Sequence, residues 1–174
     1  ISVVTYELRL LRNLRTLALG GNRLQNLPKE IGDLRRLECL FANDNKLKGV
    51  PAEIVKCGRL QDLRLDHNDI AFFPLEITQC RTLTRLNLSH NKLRELPPEI
   101  RRLGNLADLS LDDNGLGPTL PEDLARLAFN LKHLGLANNC VGEEGPTLKR
   151  LTNLNELRLS GNRRPGYEVR DKAS

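Results

Sequence analysis

His67, His90 and His133, with Asp66 and Asp112, are the side chains of this sequence best suited to ligate a divalent metal. His67 and His90 stand 23 residues apart, each just before an asparagine. On adjacent strands they would lie about 4.8 Å apart. A third ligand is not in reach of the pair, so no metal and no cofactor is assigned. The four cysteines (Cys39, Cys57, Cys80 and Cys140) form no CxxC pair and read as free thiols in a reducing compartment. Cys57 and Cys80 hold the same slot 23 residues apart and should be buried neighbours, whereas Cys39 should face outward. No glycine-rich phosphate loop, nucleophile elbow or HExxH is present. Carboxylates on an open surface lack the enclosed pocket that tuned acid–base work requires. The chain is therefore expected not to be an enzyme. Asn87-Leu-Ser is a glycosylation triplet that a cytosolic chain would not use.

The elements that position these residues follow from a repeat. Leu14, Leu37, Leu60, Leu83 and Leu106 open phrases 23 residues apart; Leu131 follows after 25 and Leu154 after another 23. Each phrase reads L-x-x-L-x-L-x-x-N, with Ala42 the one departure among the apolar slots, and each closes on an asparagine, from Asn22 to Asn162. In the first four repeats the remainder runs L-x-x-L-P-x-E-I, as in LQNLPKEIGDL. The stretch from Val4 to Asn13 aligns with that second half. Alternation at Leu17 and Leu19 predicts a short strand, and Pro28 followed by Glu30 predicts a short helical turn. No single repeat buries its own leucines, so stacking must supply the core. The asparagines should point inward onto backbone groups of adjoining turns, which is a structural role.

The pattern resembles the leucine-rich repeat family, in the 23-residue LPxEI form of Ras-pathway scaffolds, Scribble-type polarity proteins and plant Ras-group proteins. NGLGPTLPEDLARL carries a two-residue insertion, and NNCVGEEGPTLKRL departs toward the ribonuclease-inhibitor subclass. The resemblance implies an α/β fold, a right-handed solenoid with a parallel concave sheet and short helices or 3-10 turns on the convex side. The whole chain, 1–174, would be one domain: a partial repeat at 1–13, repeats at 14–36, 37–59, 60–82, 83–105, 106–130 and 131–153, and a last repeat with tail or cap at 154–174.

On such a sheet the third, fifth, seventh and eighth positions of each repeat face outward. Those columns hold seven acids (Asp44, Asp62, Asp66, Asp108, Asp112, Asp113, Glu156) and three arginines (Arg64, Arg85, Arg158), although the chain carries +5 overall. Positive charge gathers elsewhere, as at Arg35, Arg36, Arg101 and Arg102. An acidic groove nearly free of aromatics argues against nucleic acid. Register puts Phe41 outward between Ala18 and Arg64, with Ala42 in an inward slot. The alternative turns Phe41 into the space Ala42 leaves, relieving a cavity worth roughly 2–5 kcal/mol. That requires a slip that would spoil Leu40 and Asn45. Phe72 is a second anchor on the loop edge or a loop-packing residue, while Phe73 takes the core slot beside Pro74.

The expected function is recognition of a protein partner on the concave face, as a scaffold module of intracellular signalling or assembly. Phe41 would anchor, Arg64 and Arg85 would meet acids, and Asp44, Asp62, Asp66, Asp108 and Asp112 would meet a basic patch, with His67, Asn87 and His133 completing the surface. The resemblance suggests a small GTPase, a phosphatase or a cytoskeletal component as partner. A cytoplasmic monomer is expected, since apolar runs fall short of the ~20 residues of a membrane span. No signal-peptide pattern is evident, though the chain lacks an initiator Met and reads as a fragment. The alternative is the regulatory or substrate-recognition part of a kinase, cyclase or ubiquitin ligase, or of an innate-immunity or effector protein. The departing tail RRPGYEVRDKAS is a cap, a disordered end or a link to more chain.

Overall fold

Inward apolar residues two apart, with one outward residue between them, leave each repeat able to form only a very short strand. Its stability must come from its neighbours. The structure, a computed structural model, describes residues 1–142 and 145–162, so the tail lies outside the described residues. Seven three-residue strands form one parallel sheet in chain order: β1 (Thr16–Ala18), β2 (Cys39–Phe41), β3 (Asp62–Arg64), β4 (Arg85–Asn87), β5 (Asp108–Ser110), β6 (His133–Gly135) and β7 (Glu156–Arg158). Equivalent residues pair across all of them, so Thr16, Cys39, Asp62, Arg85, Asp108, His133 and Glu156 form one straight column. Strand and return turn alternate along the chain and wind into a solenoid with an open sheet.

Between strands the chain returns through 3-10 turns at Tyr6–Leu10, Lys29–Asp33, Ala52–Lys56, Leu75–Gln79, Pro98–Arg102 and Glu122–Leu127, and through a short α-helix at Pro146–Lys149. Pro28 precedes the second turn, where its missing N–H costs nothing, and Glu30 sits in the first turn. The turns at Tyr6 and Lys29 stand one repeat apart, so the opening residues fold as the second half of a repeat. The extra residues after Asn114 are absorbed between β5 and β6. There Gly117 has φ 128°, and a Cβ would lie 2.3 Å from the Cys140 carbonyl oxygen, so glycine is required.

The core lies between sheet and turns. Leu24, Leu47, Ile70, Leu93 and Leu116 form one fully buried column, and Ile31, Ile54, Ile77 and Ile100 another. Asparagines close the layer. Asn68 Nδ2 donates to the carbonyls of Ala42, Leu65 and Asp66 at 3.0, 2.9 and 3.2 Å, and its Oδ1 accepts from the Leu47 amide at 2.8 Å. Asn45, Asn91, Asn114 and Asn139 repeat this arrangement. Each ties its own turn to the previous repeat.

Candidate functional site

Alternation within each three-residue strand sends the middle residue into the core and the outer two to the exposed face of the sheet. Leu40 is therefore fully buried, while Cys39 and Phe41 are half-buried on the outside. Ala42 is completely buried in the next inward slot, and the register carries on unbroken to Asn45. Phe41 thus stands on the sheet face, paired laterally with Ala18 and Arg64.

Its surroundings are built. The Arg64 guanidinium carbon lies 4.6 Å from the Phe41 ring centroid, within cation–π range. Asp62, two residues back on the same strand and nearly buried, takes Arg64 at 3.3 and 3.4 Å and Arg85 Nε at 2.9 Å. Its hydrogen bond holds the Arg85 guanidinium above its ordinary pKa, and Asp108 on the next strand adds to this. One carboxylate thus fixes two half-exposed guanidiniums, and one of these lies over an aromatic ring. Further along, Asp108 bonds His133, and Asp112 bonds Arg158 at 3.0 Å and the Ala137 amide at 2.8 Å. The Asp112–Arg158 pair passes over Gly135, where a Cβ would lie 2.5 Å from Asp112 Oδ2 and 2.8 Å from Arg158 Nη2. A larger residue there would have to push those side-chain ends aside.

The edge where strands leave the sheet carries a second pattern. Asp44, His67, His90, Asp113 and Asn138, the eighth residues of their repeats, all have φ between 52° and 54°, and Gly21 and Gly161 occupy the same place at 69° and 73°. Their side chains form a ladder. The His67 and His90 rings stack with centroids 4.0 Å apart and an interplanar angle of 25°. His67 Nδ1 lies 3.3 Å from Asp66, His90 Nε2 lies 3.4 Å from Asp113, and Asn138 donates to Asp113 at 2.9 Å. Asp44 accepts from Asn43 at 2.6 Å, and Asp66 Oδ1 is buried with no partner among the described residues. Among those residues no three His, Cys, Asp or Glu side chains converge as metal ligands.

Every expected surface residue lies on this face or its edge, but the acids do not present themselves alike. Asp62 and Asp112 are turned into internal bonds, Asp66 and Asp108 each bear on an imidazole, and Asn87 accepts from the Ser89 amide at 3.0 Å. What stands half-exposed is chiefly Arg64, Arg85, Arg158 and the imidazoles. Residue columns show which side chains share a face. They do not show that carboxylates and arginines will bond each other, nor that His90 joins His67 in a stack. The glycines at the eighth position of the first and last repeats were the available signal for the left-handed edge.

Two family models match the chain, both described as leucine rich repeat, over residues 12–70 and 82–103. Comparison with curated proteins finds no match. Among solved structures, a leucine-rich repeat protein of Leptospira interrogans is 36% identical over 94% of this chain, with a TM-score of 0.89. The ectodomain of the Arabidopsis thaliana membrane receptor kinase GASSHO1/SCHENGEN3, in complex with CASPARIAN STRIP INTEGRITY FACTOR 2, is 34% identical over 91% with a TM-score of 0.80. The plant peptide hormone receptor RGFR1, in complex with RGF2, is 30% identical over 92% with a TM-score of 0.79. The chain spans 41%, 20% and 27% of these three structures respectively.

Proposed function

The chain belongs to the leucine-rich repeat family, and from that premise we propose that it is a protein-interaction module whose partner lies along the exposed face of the sheet. One observation carries the reading: Phe41 stays on that face beneath Arg64, and Arg64 and Arg85 are held by the nearly buried Asp62. Aromatic and arginine side chains that are fixed before binding lose little conformational entropy on association, which is the usual character of an anchor. Phe41 is the apolar contact, and Arg64 and Arg85 offer their free donors to acidic groups. Asp44, Asp66, His67, Asp108 and His133 border the contact; Asp62, Asp112 and Asn87 organise it from within. Seven strands give room for the ~1,200–2,000 Å² of a stable complex.

Two solved relatives are themselves complexes, a receptor-kinase ectodomain with its factor and a hormone receptor with its peptide, which supports a protein or peptide partner. Four free thiols support an intracellular scaffold, with a small GTPase, a phosphatase or a cytoskeletal component as partner class. The likeness to a receptor-kinase ectodomain favours one second reading, the recognition part of a larger enzyme.

Capture from cell extract on immobilised chain tests the site. Phe41→Ala should lower partner affinity about 30-fold, or about 2 kcal/mol, while Arg36→Ala, in the loop between the Lys29–Asp33 turn and β2, leaves it unchanged. A partner held equally by wild type and Phe41→Ala, with both proteins folded by circular dichroism, would falsify the assignment.

A further inference from the structure

The third repeat breaks the pattern of its neighbours away from the sheet face. Two residues beyond the buried leucine column, the first, second and fourth repeats carry Asn26, Gly49 and Glu95, but this one carries Phe72. Two residues after the core slot filled by Phe73, where others have Lys29, Ala52 and Pro98, it carries Leu75. Phe73 packs inward at 8% exposure, whereas Phe72 is 81% exposed and Leu75 52% exposed. Phe72 therefore performs no packing role in its loop.

Next to it is a hollow of about 350 Å³, lined by Phe72, Phe73, Leu75, Glu95, Leu96, Pro97, Pro98 and Glu99. The size is within the range of side-chain and small-ligand pockets. Its walls are apolar except for two carboxylates, and no cation lines it. Neither Glu95 nor Glu99, nor Glu76 beside Leu75, forms an ion pair among the described residues. This contrasts with the sheet face, where nearly every acid is already engaged. An exposed aromatic knob, an apolar hollow beside it and unengaged acids at its rim are complementary to one kind of group: an apolar side chain flanked by cations.

We propose that the Phe72 edge is a second docking surface, separate from the sheet face, for a partner segment that places an apolar side chain in this hollow and lysine or arginine against Glu95 and Glu99. The prolines at 97 and 98 stiffen the far wall, so the hollow is present before binding.

Fluorescence anisotropy with two labelled twelve-residue peptides tests it. One combines leucine with lysine, and its counterpart has every lysine replaced by glutamate. Phe72 is exposed, so Phe72→Ser will fold, and melting of each variant confirms it. The lysine peptide should bind the wild-type chain at least ten times more tightly than the glutamate peptide. Phe72→Ser should weaken it about tenfold, and E95Q/E99Q should weaken it and flatten its salt dependence. Phe41→Ala should leave it unchanged. Binding that ignores Phe72→Ser, equal binding of both peptides, or binding of neither overturns the proposal. So does sedimentation showing a dimer that Phe72→Ser dissolves, because the occupant is then a second copy of this chain. None of these outcomes bears on the sheet face, which Phe41→Ala reads by itself.

Discussion

Asn68 is a buried amide with four backbone partners drawn from two repeats. Substituting alanine strands the Leu47 amide and leaves three carbonyls one donor short, each a loss on the order of 1 kcal/mol. Asn68→Ala should therefore cost about 3 kcal/mol in urea unfolding. Asn105→Ala, whose amide makes one exposed bond to Arg81, should cost under about 1 kcal/mol. Equal losses would show that the buried bonds of Asn68 hold the stack no better than the exposed bond of Asn105. This role was legible in the sequence, because a polar residue recurring at the end of every leucine phrase has no apolar face to join. The fate of Asp62 was not. Its column shows that it faces outward, but only side-chain reach decides that Arg64 and Arg85 both fold onto it and leave it nearly buried. The crowding over Gly135 was equally silent, since it comes from Asp112 and Arg158 crossing above it from other repeats.

Among the elements, the turns at Ala52–Lys56 and Leu75–Gln79 end on Cys57 and Cys80. These fill a slot that Leu34 and Leu103 fill elsewhere, and the thiols point to the carbonyls of Ile31 and Ile54 at 3.2 and 3.8 Å. Burial pushes Cys57 up to about 11 and Cys80 up to about 12 from an ordinary 9.0, so the folded chain keeps these protons longer than the unfolded one. Their contribution is complete below about pH 9 and shrinks as pH rises from there toward 11–12. Over that window wild-type stability should fall more steeply than that of C57A/C80A in chemical denaturation. Parallel curves would place both thiols in contact with water. Element type and spacing were readable here because proline, acid and isoleucine recur in register. That the return segments are 3-10 turns follows from having only five residues in which to close a layer.

At the scale of the whole molecule, stability is passed between neighbours along the stack. Leu88 donates to Ser110 across the middle of the sheet, where strands on both sides are packed, whereas Leu136 donates to Arg158 of β7, exposed at all three positions. Hydrogen exchange should therefore be slower at Leu88 than at Leu136. Equal protection at the two amides would mean that the repeats unfold as one unit. The left-handed edge also spans the stack, from Gly21 through Asp44, His67, His90, Asp113 and Asn138 to Gly161. A backbone held at that dihedral admits glycine, asparagine, aspartate and histidine readily and penalises branched or bulky side chains. The rim is thus hydrophilic by conformational necessity before any ligand acts on it. Mutational drift at these sites is confined to a small alphabet, most of it able to form hydrogen bonds, so a new recognition surface could arise there by single exchanges that leave the coil intact.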